Sequence, residues 1–259
     1  MNKLIASALV VSALCSGCTG LGLMSSQGLY PQKTYTSTSP SIYTTVTSHT
    51  GAYKTPDNSL AFVETALRNN SEILEIDVNM RPNGTLVMYH DQVPNDMTGY
   101  EVDKALQMVR GTRTQINLDI KDTRVLRQLR EQVLRSGMIN QVFLTGIAEK
   151  DVPVVRSQFP EVKYYLNCNL DPQRYYEPRY LNEILSTLRR TGAVGINCNH
   201  LQANQTLSTW LHRNGYKLSV WTVNKRGDMK TAAGYSPDNI TTRKPDKARR
   251  IVDKQKQRR

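Results

Sequence analysis

The sequence lacks a membrane-spanning helix at the one place that first suggests it. The apolar run from Leu4 to Leu14 has 11 residues, against the roughly 20 needed to cross a hydrocarbon core. Also missing is a glycine-rich dinucleotide fingerprint, so nothing points to a nucleotide cofactor lying across an open sheet. There is no zinc-finger or RNP motif. No aromatic residue interleaves the most basic stretch, which argues against nucleic acid as a partner. No long internal repeat is present. Histidine and cysteine are scarce, four of each.

What is present is sufficient for a packed domain. Of 259 residues, 39% are hydrophobic and 22% charged, a balance that sets the chain apart from disordered ones. The length suits one large α/β domain or two small ones. The formal net charge is +12 and unevenly spread. Residues 243–259 carry nine Lys or Arg and two Asp. The expectation for residues 246–259 is a basic helix or tail, solvated or attracted to an anionic membrane surface.

The N-terminus reads as a secretory signal peptide over residues 1–17. Lys3 supplies the positive charge, Leu4 to Leu14 the apolar stretch, and Ser16-Gly17 the small residues before Cys18. This resembles a bacterial lipobox, with cleavage before Cys18 and acylation of its thiol. Cys15 occupies the position where the motif usually has Leu. The expectation is a lipid-anchored protein of a bacterial cell envelope, on the periplasmic side of the outer membrane. Residues 18–43, rich in Ser, Thr, Gly and Pro, read as a linker. Cys168 and Cys198 close consecutive strand-like runs in similar contexts, Leu-Asn-Cys-Asn and Ile-Asn-Cys-Asn. A cross-strand disulfide and two free thiols both fit, because the bond depends on a Cβ separation that sequence does not fix.

From residue 44 short β-like runs alternate with amphipathic helical stretches. Residues 59–69 place Leu60, Val63, Ala66 and Leu67 on one helical face. The alternation gives eight strand–helix units between residues 44 and 254, the size of a small (β/α)₈ TIM barrel over residues 44–245. A doubly wound open sheet is the alternative.

In such a barrel the reactive groups lie at the C-terminal ends of the strands. His49 closes the first strand. Glu75 and Asp77 stand two apart on the second, so they share a face. His90 follows an extended run at 85–89. Asp119 and Lys121 stand two apart on the third strand, and Trp221 is late on the seventh. Helices cover the outside of a barrel, so these carboxylates face inward, where their charge is costly without a cation or a proton. Glu75, Asp77 and Asp119 therefore read as ligands of a divalent ion, and hard oxygen donors suit Mg²⁺ or Ca²⁺. His49 and His90 form a candidate acid–base pair. His200 is a possible member of the mouth, and His212 reads as a surface residue.

These stretches carry a family resemblance. Ser48-His49-Thr50-Gly51, Pro56-Asp57-Asn58-Ser59, Leu74-Glu75-Ile76-Asp77-Val78, Gly84 to His90-Asp91, and Val220-Trp221-Thr222-Val223-Asn224 resemble, in order and spacing, the motifs of the glycerophosphodiester phosphodiesterases. That family belongs to the superfamily of phospholipase C-like phosphodiesterase barrels. The resemblance implies metal-dependent hydrolysis of glycerophosphodiesters to glycerol phosphate and an alcohol. It makes His49 and His90 the acid–base pair, gives Glu75, Asp77 and Asp119 the metal, places Lys121 on the phosphate, and makes Trp221 a wall that orients substrate. The implied partners are a small phosphodiester or phospholipid headgroup and, through Cys18, a membrane.

Four departures stand out. The family's phosphate-binding Arg after the first His is Thr50, for which Lys54 or Arg81 are the candidate substitutes. The third acidic ligand is Asp119 where Glu is usual, and Asp-x-Lys resembles the sphingomyelinase D branch. The segment between Asp91 and Gln115 is short, which predicts an open site. The late Thr-Asp-x-Pro signature reads Thr241-Thr242-Arg243-Lys244-Pro245. Two other functions follow from these departures: phospholipase D-like action on intact lipids, and a phosphodiester-binding lipoprotein without turnover.

Overall fold

A computed structural model describes residues 43–257. The expected signal peptide, the Cys18 lipidation site and all but the last residue of the linker lie outside them. Eight parallel strands form the barrel: β1 (Thr45–Ser48), β2 (Ile73–Met80), β5 (Gln115–Ile120), β6 (Val142–Ile147), β7 (Tyr164–Asn167), β8 (Gly195–Asn199), β9 (Lys217–Trp221) and β10 (Asn239–Thr242). Each pairs with the next, and β1 closes the ring by pairing with both β10 and β2. The open-sheet alternative is excluded by that closure. Two short antiparallel strands, β3 (Leu86–Met88) and β4 (Tyr100–Glu101), form a flap continuing from β2.

Eight helices surround the ring: α1 (Leu60–Arg68), α2 (Val102–Val109), α3 (Leu126–Arg135), α4 (Val152–Gln158), α5 (Pro178–Thr191), α6 (Gln205–Arg213), α7 (Arg226–Gly234) and α8 (Pro245–Lys256). Local chemistry sets their ends. Ser59 caps α1 by accepting the Phe62 N–H at 3.1 Å. Gly192, at φ 69°, ends α5 in the left-handed conformation that favours glycine.

The strands bury both faces, for different reasons. Leu74, Ile76 and Val78 alternate with Glu75 and Asp77 along β2, and all are buried. The apolar set joins the helices in the core, as Leu118, Leu144, Leu166, Ile196, Val220 and Ile240 do on other strands. The alternate set lines the barrel interior with polar groups that satisfy one another. Thr47 donates to Asn239 at 2.8 Å, Asn239 to Ser219 at 3.1 Å, and Asn197 to Asn167 at 3.0 Å. Each bond offsets the desolvation of a buried polar group. Gly146 lies where the β6–β7 register shifts, and it lets β6 pass close to β5. Its φ is 75°, and a Cβ there would lie 2.4 Å from the Ile120 carbonyl oxygen and 3.0 Å from Asp119 Oδ1.

The basic C-terminal stretch, expected as a helix or a tail, is a helix. Residues up to Lys256 form α8, the last helix of the barrel, because Ala248 and Val252 bury against it and turn the Lys and Arg residues outward. One expectation changes: His212 is not a plain surface residue. Its Nε2 lies 2.8 Å from Asp238 Oδ2, an oxygen that also accepts the Leu218 N–H. Cys168 and Cys198 are both free thiols. Burial pushes their pKa values up, to about 11 and about 12.

Candidate active site

A cavity of about 570 Å³ opens at the C-terminal ends of the strands. His49, Glu75, Asp77, His90, Asp119, Lys121 and Trp221, all singled out from the sequence, line it together. His200 does not line it.

Register explains the carboxylates. Asp77 on β2 is the direct partner of Asp119 on β5, and Glu75 sits one pleat below Asp77 on the same face. One oxygen from each of the three lies within 4.8 Å of the others. Ligands on opposite sides of a single Mg²⁺ or Ca²⁺ ion are themselves about 4–5 Å apart, so the cluster fits one hard cation. Lys121 Nζ lies 3.0 Å from Asp77 and 2.6 Å from Asp119. Burial opposes the ammonium charge, but Asp119 and Asp77 outweigh it and raise the lysine pKa. One lysine does not balance three carboxylates. Glu75 shows the deficit: burial first, then the charges of Asp77 and Asp119, hold its carboxyl far above the usual range. An added cation would favour the ionised form of Glu75.

The two histidines differ. His49 Nδ1 lies 2.8 Å from the Thr50 carbonyl oxygen, a pairing that places the proton on Nδ1 and leaves Nε2 as the acceptor. Nε2 is 3.9 Å from Glu75 Oε2. Burial lowers the His49 pKa below 6.5, and Arg243 reinforces the shift. His90 is exposed at the mouth of the cavity, just after β3, with Nδ1 2.8 Å from Asp91 Oδ1. Trp221 is 36% exposed at the rim of the cavity, so it is not a core side chain.

No protein-family model matches the chain, and no curated protein sequence matches it. Solved structures do. One is a Silicibacter pomeroyi DSS-3 protein classed with the glycerophosphoryl diester phosphodiesterases. It aligns at a TM-score of 0.71 and 18% identity, over 83% of this chain and 94% of its own. A phosphodiesterase of Oleispira antarctica, solved with the product sn-glycerol-3-phosphate, aligns at 0.65 and 14%, over 81% and 96%. A glycerophosphodiester phosphodiesterase of Agrobacterium tumefaciens aligns at 0.62 and 18%, over 80% and 99%. The chain has the fold of the glycerophosphodiester phosphodiesterases.

Against that fold, the departures take on a physical form. Thr50 does not replace the phosphate-binding arginine; it builds the site. Its N–H donates to Glu75 Oε2 at 3.0 Å, and its hydroxyl accepts the Asn58 N–H. Asn58, at a φ of 50°, turns its amide onto β2, donating to Asp77 Oδ2 at 2.7 Å and accepting the Asp77 N–H at 3.0 Å. That pair of bonds fixes the carboxylate's direction. Neither candidate substitute faces the cavity. Arg81 is held by the carbonyls of Thr98 and Gly99 at 2.9 and 2.6 Å, and Lys54 is not among the lining residues.

Arg243, which the sequence reading passed over as a departure, does line the cavity. It follows β10, the strand that closes the ring onto β1, and its Nη2 bonds Asp57 Oδ2 at 2.9 Å beside the His49 loop. The only signal in the sequence was the replacement of an acid by an arginine in the late motif. A phosphodiester in the cavity would meet this guanidinium. Arg243→Ala is expected to lower kcat/KM for a phosphodiester by roughly 10- to 100-fold, the value of one charged hydrogen bond, with partial rescue by Arg243→Lys. Steady-state kinetics would check it.

Proposed function

We propose that this chain is a metal-dependent phosphodiesterase that hydrolyses glycerophosphodiesters to a glycerol phosphate and an alcohol. The observation that carries the reading is the convergence of Glu75, Asp77 and Asp119 within 4.8 Å in a cavity also lined by His49 and His90. The three carboxylates would hold Mg²⁺ or Ca²⁺. Bound there, a divalent ion supplies Lewis-acid polarisation of the phosphoryl oxygens. Lys121 and Arg243 add positive charge against the phosphate. His49, with Nε2 free, takes the proton from an attacking water, or from a substrate hydroxyl whose cyclic phosphate is then opened by water to the glycerol phosphate. His90, paired with Asp91, returns a proton to the leaving oxygen. Trp221 packs against the substrate at the rim.

The test is release of glycerol 3-phosphate from glycerophosphocholine by the purified full chain, with Mg²⁺ or Ca²⁺ and after chelation. Metal-dependent release supports the reading. Choline release from an intact lysolipid or sphingomyelin, with none from glycerophosphocholine, would move it to phospholipase D-like action, which the short Asp91–Gln115 segment and open mouth favour. No turnover, with phosphate- and metal-dependent thermal stabilisation, would leave a binding lipoprotein. The lipobox-like Cys18 supports placement at a bacterial envelope membrane, on the periplasmic side of the outer membrane; mass spectrometry of the N-terminal peptide for an acylated Cys18 checks that.

The pH profile follows from His49. A base must be deprotonated to act, and the folded pKa of His49 lies below 6.5. Activity governed by His49 is therefore expected to be retained down to pH 6.5 and lost below it. A limb in kcat/KM lying above pH 6.5 would assign the titration to another group.

A further inference from the structure

The two ends of the barrel differ in charge. The mouth holds the carboxylates described above. At the opposite end, three helix-to-strand junctions carry basic residues: Arg110 and Arg113 between α2 and β5, Lys163 between α4 and β7, and Arg213 and Lys217 at the end of α6 and the start of β9. Helix α8 ends there at Lys256. All six are exposed. Among the described residues, none has a carboxylate within ion-pair distance. The acids at this end are already engaged. Glu72 pairs with Arg249 at 2.9 Å, Glu161 with Arg130, Asp253 with Arg249 at 3.0 Å, and Asp238 with His212 at 2.8 Å. A large share of the +12 formal charge is therefore uncompensated on one face.

Two further observations concern what meets that face. The chain enters β1 there: the Tyr43 ring lies beneath Arg249 and Lys256, with centroid distances of 5.2 and 5.6 Å. Residues 1–42, which read as leader, acylation site and linker, thus join the barrel at its basic end. The face also offers little for nucleic acid. The basic groups ring the end of a closed barrel instead of tracking a groove; of the aromatic rings among them, Tyr43 is already covered by cations and Tyr216 packs against the core.

We propose that the basic end of the barrel docks on an anionic phospholipid bilayer, turning the catalytic mouth away from that bilayer. Docking does not rest on the phosphodiesterase reading. Its consequence for substrate does: a mouth facing away from the bilayer takes water-soluble glycerophosphodiesters in preference to lipids of the same leaflet. Each basic residue near an anionic surface contributes roughly fivefold to partitioning, and salt screens the effect.

The test compares two full-chain variants with equal charge change, Arg213→Glu/Lys217→Glu at the basic end and Lys225→Glu/Arg226→Glu at the mouth. Both are sedimented with vesicles of phosphatidylcholine alone or mixed with phosphatidylglycerol. The wild type is expected to prefer the anionic vesicles and to release them as salt rises. The basic-end variant should bind them at least about 10-fold more weakly, and the mouth variant within about twofold of wild type. Arg110→Glu/Arg113→Glu should repeat the basic-end loss, so misfolding of one variant does not decide the outcome. Equal binding to both vesicle types, equal loss in both variants, or retention on polyuridylate at salt that releases the vesicles would overturn the proposal.

Discussion

Replacing His49 by alanine is expected to lower kcat for glycerophosphodiester hydrolysis by roughly 10²- to 10⁴-fold, the range for loss of one positioned proton-transfer group. The fold should survive, because His49 has only its neighbour's carbonyl as a strong partner and its side chain is part-exposed. His90→Ala should cost a comparable factor. Combining the two should cost less than the product, because two groups serving one reaction act as a unit. Single-turnover rates beside circular dichroism would separate chemistry from folding. Variants within threefold of wild type would remove the imidazoles from the mechanism.

Glu75→Gln is the second large effect, and its sign depends on whether a cation is present. Glu75 has a raised folded pKa. Between its unfolded value of 4.5 and the raised folded value, the unfolded chain has released the proton while the metal-free fold retains it. The fold then binds more protons than the unfolded chain, and stability falls as pH rises from the unfolded value towards the folded pKa. Gln keeps the neutral shape and removes the titration. In chelator, Glu75→Gln should therefore match or exceed wild-type stability at neutral pH and lose part of the pH slope. With Mg²⁺ or Ca²⁺ added, wild type should gain stability and the variant should not. Its ion affinity should fall by more than about 100-fold, beyond the 10- to 100-fold typical of groups that merely support a ligand. Thermal melts across pH, with and without ion, would check both halves.

Much of this was legible in the sequence for one reason: period. Apolar residues alternating with Glu75 and Asp77, and again with Asp119, specify strands whose two faces are both enclosed, which suits a barrel, and the β1–β10 pairing decides it over an open sheet. The helix expected over residues 59–69 is α1, Leu60–Arg68, and the eight strand–helix units are all present. What was not legible depends on closure. Arg243 reaches His49 because β10 pairs with β1, bringing together positions nearly 200 residues apart in sequence. Asn58 acts through a left-handed turn that aims its amide at Asp77, and a Pro-Asp-Asn-Ser string does not reveal the direction of that amide. The last helix was legible despite its charge, since Pro245, Ala248 and Val252 bury beneath a surface dense in Lys and Arg. Thr50 stands where the family has an arginine, and the sequence did not show that its backbone N–H would donate to Glu75 or its hydroxyl accept from Asn58.

Calorimetric titration of the chelated protein with Mg²⁺ and with Ca²⁺, run on wild type and on Asp77→Asn and Asp119→Asn, addresses the central claim most directly. The geometry predicts one ion per chain in wild type, proton release on binding as Glu75 ionises, and binding at least about 10-fold weaker in either variant. Absence of binding in wild type, or equal affinity in all three proteins, would contradict it.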